Sequence, residues 1–143
     1  VSYGDAPHRF EAGTPPIIEA VGLGAALSYM QAIGFDDMQA HENALRDHAM
    51  EAVGAINRVK IYGTSPDKGA IVSFSVDGVH PHDLAMVMDR SGVAIRAGHH
   101  CAQPLMHHFG VPATARASFA MYNTHEEVDA LAASLSKAIA FFG

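Results

Sequence analysis

The chain has a single cysteine, Cys101, so no internal disulfide can brace it, and one thiol suits a reducing, cytoplasmic compartment. No apolar run approaches the roughly 20 residues that a bilayer-spanning helix needs, and no segment reads as a signal peptide, so no membrane partner is expected. Basic residues are scarce. Nine Lys and Arg against fifteen Asp and Glu give a formal charge of −6, and no basic stripe offers itself to nucleic acid. Lysines number only three: Lys60, Lys68 and Lys137. Internal repeats and low-complexity tracts are also absent. What remains is globular in character: 49% hydrophobic and 17% charged residues over 143 positions suffice for one domain with a real core.

The first sixteen residues, VSYGDAPHRFEAGTPP, mix Gly, Pro and charge without a sustained period. Tyr3, Phe10 and the Pro15-Pro16 pair look like contact residues, so 1–16 reads as an extended arm and 17–143 as the domain proper. Small and apolar residues from Ile17 to Ile33 predict a helix stopped by Gly34, with Gly22 and Gly24 allowing a close neighbour. A second helix follows with Asp36 or Asp37 as its cap, and Leu45, Ala49, Ala52, Val53 and Ile56 fall at three- and four-residue steps. RVKIYG and AIVSFSV then switch to the two-residue period of strands joined through GTSPDKG. Pro81 suits the first turn of a third helix that turns Leu84, Val87 and Met88 inward and ends near Gly92. VAIRA and ARASFAM read as two further strands. Thr124 with Glu127 forms a capping box for a last helix striped by Leu131, Leu135, Ile139 and Phe142. The order α-α-β-β-α-β-β-α predicts an α+β fold: a small, mainly antiparallel sheet with helices packed on it.

Between the last two strands lies a loop of some fifteen residues that contains GHHCAQPLMHHFG and is longer than packing alone requires. Cys101 has three readings there. It can be an inert small hydrophobe, as free cysteines often are. It can ligate zinc with His99, His100, His107 and His108, although no pair shows the usual ligand spacing and a second ligand cluster is missing. It can be a nucleophile, since Arg96 and the histidines put positive charge nearby and the thiolate is the reactive form. A hydrolase triad has histidines to draw on, but nothing in the spacing fixes their geometry. Arg116, alone on an otherwise apolar strand, is either a solvent-face charge or the fork that grips a carboxylate.

Three blocks, RFEAGTP, RAGHHCAQPLM and RASFAMYNTHEEVD, resemble those of cysteine desulfurases of the sulfur-mobilisation, selenocysteine-lyase-like branch. These are pyridoxal-phosphate enzymes of the aminotransferase class V group. The resemblance runs through essentially all 143 residues in order and corresponds to the C-terminal third of such a protein, its small domain. It implies removal of sulfur from L-cysteine, or selenium from L-selenocysteine, to leave L-alanine, with passage of the sulfur to an acceptor protein. It also implies a homodimer.

By the same resemblance, Cys101 matches the catalytic cysteine that becomes a persulfide, and Arg116 the arginine that binds the substrate carboxylate. Arg96 matches a supporting arginine beside the cysteine. Gly13 and Thr14 match a turn that reaches the cofactor phosphate of the neighbouring subunit; a backbone N–H and a hydroxyl both suit phosphate oxygens. His99 and His100 match a histidine pair without a firm role. No metal is implied. None of Lys60, Lys68 and Lys137 matches the Schiff-base lysine, so the resemblance implies that these 143 residues alone neither bind the cofactor covalently nor turn over. The alternatives are a zinc-binding module or a non-catalytic interaction domain.

Overall fold

The computed structural model describes residues 2–143. A short 3-10 turn, His8–Phe10, precedes α1 (Ile17–Ile33) and α2 (Phe35–Gly54). Strands β1 (Val59–Tyr62) and β2 (Ile71–Val76) come next, then α3 (Pro81–Asp89), β3 (Arg96–Gly98) and α4 (Gln103–Phe109). Strand β4 (Thr114–Ser118) and α5 (His125–Phe142) complete the chain. It divides into two compact units, Val1–Asp37 and Met38–Gly143, with residues 17–37 in the first. No single helix among the described residues is long and apolar enough to cross a membrane.

In the first unit, α1 has no buried side chain; Ile18, Val21 and Leu23 all stand exposed. A Cβ added at Gly22 or Gly24 would meet nothing, so the close neighbour expected there is not supplied within the described residues. Gly34, in the left-handed half of backbone space at φ +101°, closes α1 through its N–H to Met30 O. Helix α2 starts at once with Phe35, which places Asp36 and Asp37 inside its first turn rather than at the cap.

The second unit is built on a four-stranded antiparallel sheet in the order β1-β2-β4-β3. Alternation along β2 puts Val72, Phe74 and Val76 on one face, where they meet Ala115 and Ala117 of β4. Leu45, Ala49 and Val53 of α2 belong to the same core, with Leu84 and Met88 of α3 and Val128, Leu131 and Leu135 of α5. Full burial of a side chain such as Leu45 or Phe74 stabilises by about 1.5–3 kcal/mol. The stripe expected on α5 holds through Ile139, but Phe142 is exposed and Ala138 takes the inward position. The Thr124–Glu127 capping box is closed in both directions, at 3.3 and 3.1 Å.

Two elements differ from the sequence expectation. The strand read over VAIRA is displaced to Arg96–Gly98, while Val93 and Ile95 pack against the core ahead of it. The fifteen-residue loop contains a seven-residue helix, α4, with a proline in its first turn and Gly110 ending it in left-handed conformation at φ +66°. Met106 is the side chain that α4 buries, and it does so on the sheet face opposite the main core.

Candidate active site around Cys101 and Arg116

On that second face the sheet register aligns one side chain from each strand: Tyr62 pairs with Ser73, Ser73 with Arg116, and Arg116 with Arg96. Paired residues of antiparallel strands point to the same side, so two guanidinium groups start from neighbouring positions in one row. Thr114, two residues before Arg116, points the same way. Helix α4 lies over this face, with Phe109 5.1 Å from the Tyr62 ring and Met106 Sδ 3.9 Å from Thr114 Oγ1. Between helix and strands is a pocket of about 380 Å³ whose lining includes Tyr62, Lys68, His100, Leu105, Phe109 and Arg116.

Cys101 occupies the turn from β3 into α4 and is exposed. Gly98 leaves β3 at φ +132°, and Ala102 N–H closes the turn on His99 O at 2.9 Å. His100 and Cys101 both adopt the left-handed conformation, at φ +56° and +58°. For residues bearing a Cβ this costs about 1–2 kcal/mol each, so the turn needs a tether. His100 provides one: Nε2 lies 3.1 Å from Thr114 O and 3.0 Å from Thr114 Oγ1.

The guanidinium beside the thiol is that of Arg96, with Nη2 4.0 Å from Cys101 Sγ. Arg116 faces the pocket, and its Nε is buried without a hydrogen-bond partner. An unmet buried donor of this kind is costly, and a carboxylate oxygen would satisfy it once the side chain adjusts. Burial first, and then the positive charges of Arg116, Arg96 and His99, push the His100 imidazole below its ordinary value, only partly opposed by its hydrogen bond to Thr114. The fold therefore favours the neutral form of His100.

Among the sequence candidates, Cys101, Arg96 and Arg116 belong to the second unit, whereas Gly13 and Thr14 belong to the first, in an exposed bend ahead of α1. A Cβ at Gly13 would meet nothing, so no contact among the described residues requires glycine there. His107 and His108 are exposed on the last turn of α4, and no group of three or more His, Cys, Asp or Glu among the described residues could hold a metal ion. Lys60 stands 5.2 Å over the Tyr62 ring and Lys137 is exposed on α5. Lys68 lines the pocket, but its amine donates to Gly63 O at 2.7 Å. The role of Thr114 was not anticipated, though the two-residue period from Arg116 already places it on the same sheet face.

A family model described as Aminotransferase class-V matches residues 1–131. The chain belongs to the aminotransferase class V family. Among curated relatives, it is 47% identical over 144 aligned residues to a probable cysteine desulfurase of Streptomyces coelicolor, covering 99% of this chain and 34% of that protein. It is 51% identical to probable cysteine desulfurase 2 of Mycobacterium leprae, with the same coverage. Among solved structures, the cysteine desulfurase CsdA from Escherichia coli superposes with a TM-score of 0.88 at 33% identity, over 96% of this chain and 34% of that one. A cysteine desulfurase from Thermococcus onnurineus gives a TM-score of 0.87 at 38% identity, over 96% and 35%. The chain thus spans about a third of the length of the class V relatives it matches, and the α+β sheet-and-helix fold expected from sequence is the fold of the corresponding part of these proteins.

Proposed function

We propose that this chain is the thiol-bearing part of a cysteine desulfurase. Cys101 accepts the sulfur, Arg116 holds the substrate carboxylate, and Arg96 steadies the sulfur end. The observation that carries this reading is the exposed Cys101 Sγ, 4.0 Å from Arg96 Nη2, with Arg96 the cross-strand partner of Arg116. In the reaction, Sγ of Cys101 forms a bond to the sulfur of L-cysteine and the substrate Cβ–S bond breaks. Its electron pair stays with the carbon skeleton, and a proton taken up there completes L-alanine while Cys101 is left as a persulfide. The same chemistry would serve L-selenocysteine.

Pyridoxal phosphate, held by the full-length protein, supplies the electron sink for that bond cleavage. The lysines offer no free amine there for its covalent anchorage: Lys68, the lysine that lines the pocket, donates its amine to Gly63 O and Met50 Sδ. What the chain contributes is the carboxylate grip, the thiol and, through Gly13 and Thr14, a contact for the phosphate in a second copy of the protein. The isolated 143 residues are accordingly inactive in this reading. The test is release of L-alanine from L-cysteine by the full-length protein. Cys101→Ala is expected to abolish it or nearly so, since it removes the sulfur acceptor and no other residue of these 143 offers a thiol. Parent-like release by that variant would sink the assignment.

A further inference from the structure

We infer that His100 is a positioning residue for Cys101, clamping the thiol-bearing turn to β4 through Thr114. The inference rests on the reading of Cys101 as sulfur acceptor. Its geometric basis is the His100–Thr114 side-chain tether of a turn in which two consecutive residues, His100 and Cys101, are left-handed. The thiol itself is exposed and its side-chain contact is a long one, to Arg96 at 4.0 Å.

The protonation pattern follows from the partners. Thr114 O can only accept, so His100 Nε2 carries the hydrogen. Thr114 Oγ1 donates to Met106 Sδ, 3.9 Å away, which leaves an oxygen lone pair open to the same Nε2–H. Nδ1 is then unprotonated, buried and without a partner among the described residues. A proton added there would sit among the charges of Arg96, Arg116 and His99. The neutral ring is therefore a two-point clamp between the turn, β4 and, through Thr114, α4. Fixing the ring fixes the backbone of the residue that follows it, and with it where Sγ stands relative to Arg96 and to the carboxylate end at Arg116.

The experiment compares His100→Ala, His100→Gln and Thr114→Val in the full-length holoenzyme. Gln can present its amide N–H near the position of Nε2, whereas Ala removes the donor. Single-turnover persulfide formation on Cys101 is expected to slow by roughly ten- to a hundredfold in His100→Ala, as misplacement of a reacting atom does. KM for L-cysteine should stay within about twofold, because Arg116 is untouched. His100→Gln should recover most of the rate, and Thr114→Val, which keeps the shape without the hydroxyl, should show a smaller loss. A parent-like rate in His100→Ala, or equal losses in Ala and Gln, overturns the inference. So does a rise in KM that accounts for the whole defect. If His100→Ala does not fold, Thr114→Val decides: an unchanged rate overturns the clamp. Alkylation of Cys101 by iodoacetamide is read in parallel, independently of turnover. If the parent forms no persulfide, the desulfurase reading falls, while an alkylation rate altered in Ala and restored in Gln still supports the clamp. An alkylation rate unchanged in all three variants overturns it.

Discussion

Replacing Arg116 with alanine in the full-length protein should separate substrate capture from thiol chemistry. The arginine rises from the middle of β4 between Ser73 and Arg96, and its buried Nε has no hydrogen-bond partner among the described residues. A carboxylate meeting that guanidinium makes charge-assisted hydrogen bonds worth about 1.5–3 kcal/mol. At 1.36 kcal/mol per factor of ten, kcat/KM for L-cysteine should fall roughly ten- to 150-fold. Arg116→Lys should fall less, keeping the charge but losing the fork. The structure adds a control. Arg96, not Arg116, lies against Cys101 Sγ, so alkylation of the thiol should be little changed by Arg116→Ala and altered by Arg96→Ala. The assay is steady-state L-alanine formation beside iodoacetamide labelling. Unchanged kcat/KM in Arg116→Ala, or a labelling defect as large as that of Arg96→Ala, would refute the division of labour between the two arginines.

Further outcomes concern the scaffold and its response to pH. Arg46 is buried on α2 and donates to Lys68 O at 2.6 Å and Asn43 Oδ1 at 2.9 Å while pairing with Asp47, so Arg46→Ala should destabilise by about 1.5–3 kcal/mol, read by thermal unfolding, and loosen the β1–β2 connection. Thr124→Ala removes one side of the capping box and should cost about 0.5–2 kcal/mol in denaturant unfolding, with little effect on Cys101 labelling. His100 sits below its ordinary value of 6.5 in the fold, so as pH falls through 6.5 the unfolded chain takes up the proton first. This contribution to stability is complete above 6.5, declines below it, and levels off once the folded imidazole is protonated too. His100→Gln should flatten that part of the stability–pH curve relative to the parent; an identical slope in both proteins would contradict it.

The main core was legible in the sequence because each element declares its own period. Val72, Phe74 and Val76 alternate, Leu45, Ala49 and Val53 step along a helix, and Thr124 with Glu127 marks the start of α5. The capping and hairpin signals are local, which is why they survive folding unchanged. Helix α4 was hidden because seven residues are too few to show a helical stripe, and four histidines around it read as polar loop. Its cues, Pro104 in the first turn and Gly110 just beyond the end, become decisive only once Met106 is seen to bury against Thr114. The site was legible in its parts but not in its pairing. Cys101, Arg96 and Arg116 stand out as residue types, and Arg96 lies only five residues before the thiol it meets, yet that Arg96 and Arg116 start side by side depends on sheet register, a long-range property. The His100 tether was invisible for the same reason, since Thr114 lies fourteen residues away across a turn.

If the lone thiol takes a sulfur atom from L-cysteine, it carries that atom after a single turnover. Mass analysis of the Cys101 peptide from the full-length protein, after one turnover with L-cysteine and no reductant, tests it most directly. The expected result is a peptide heavier by one sulfur atom, formed together with L-alanine and returned to its original mass by a thiol. An unmodified Cys101 peptide alongside full L-alanine release would contradict it.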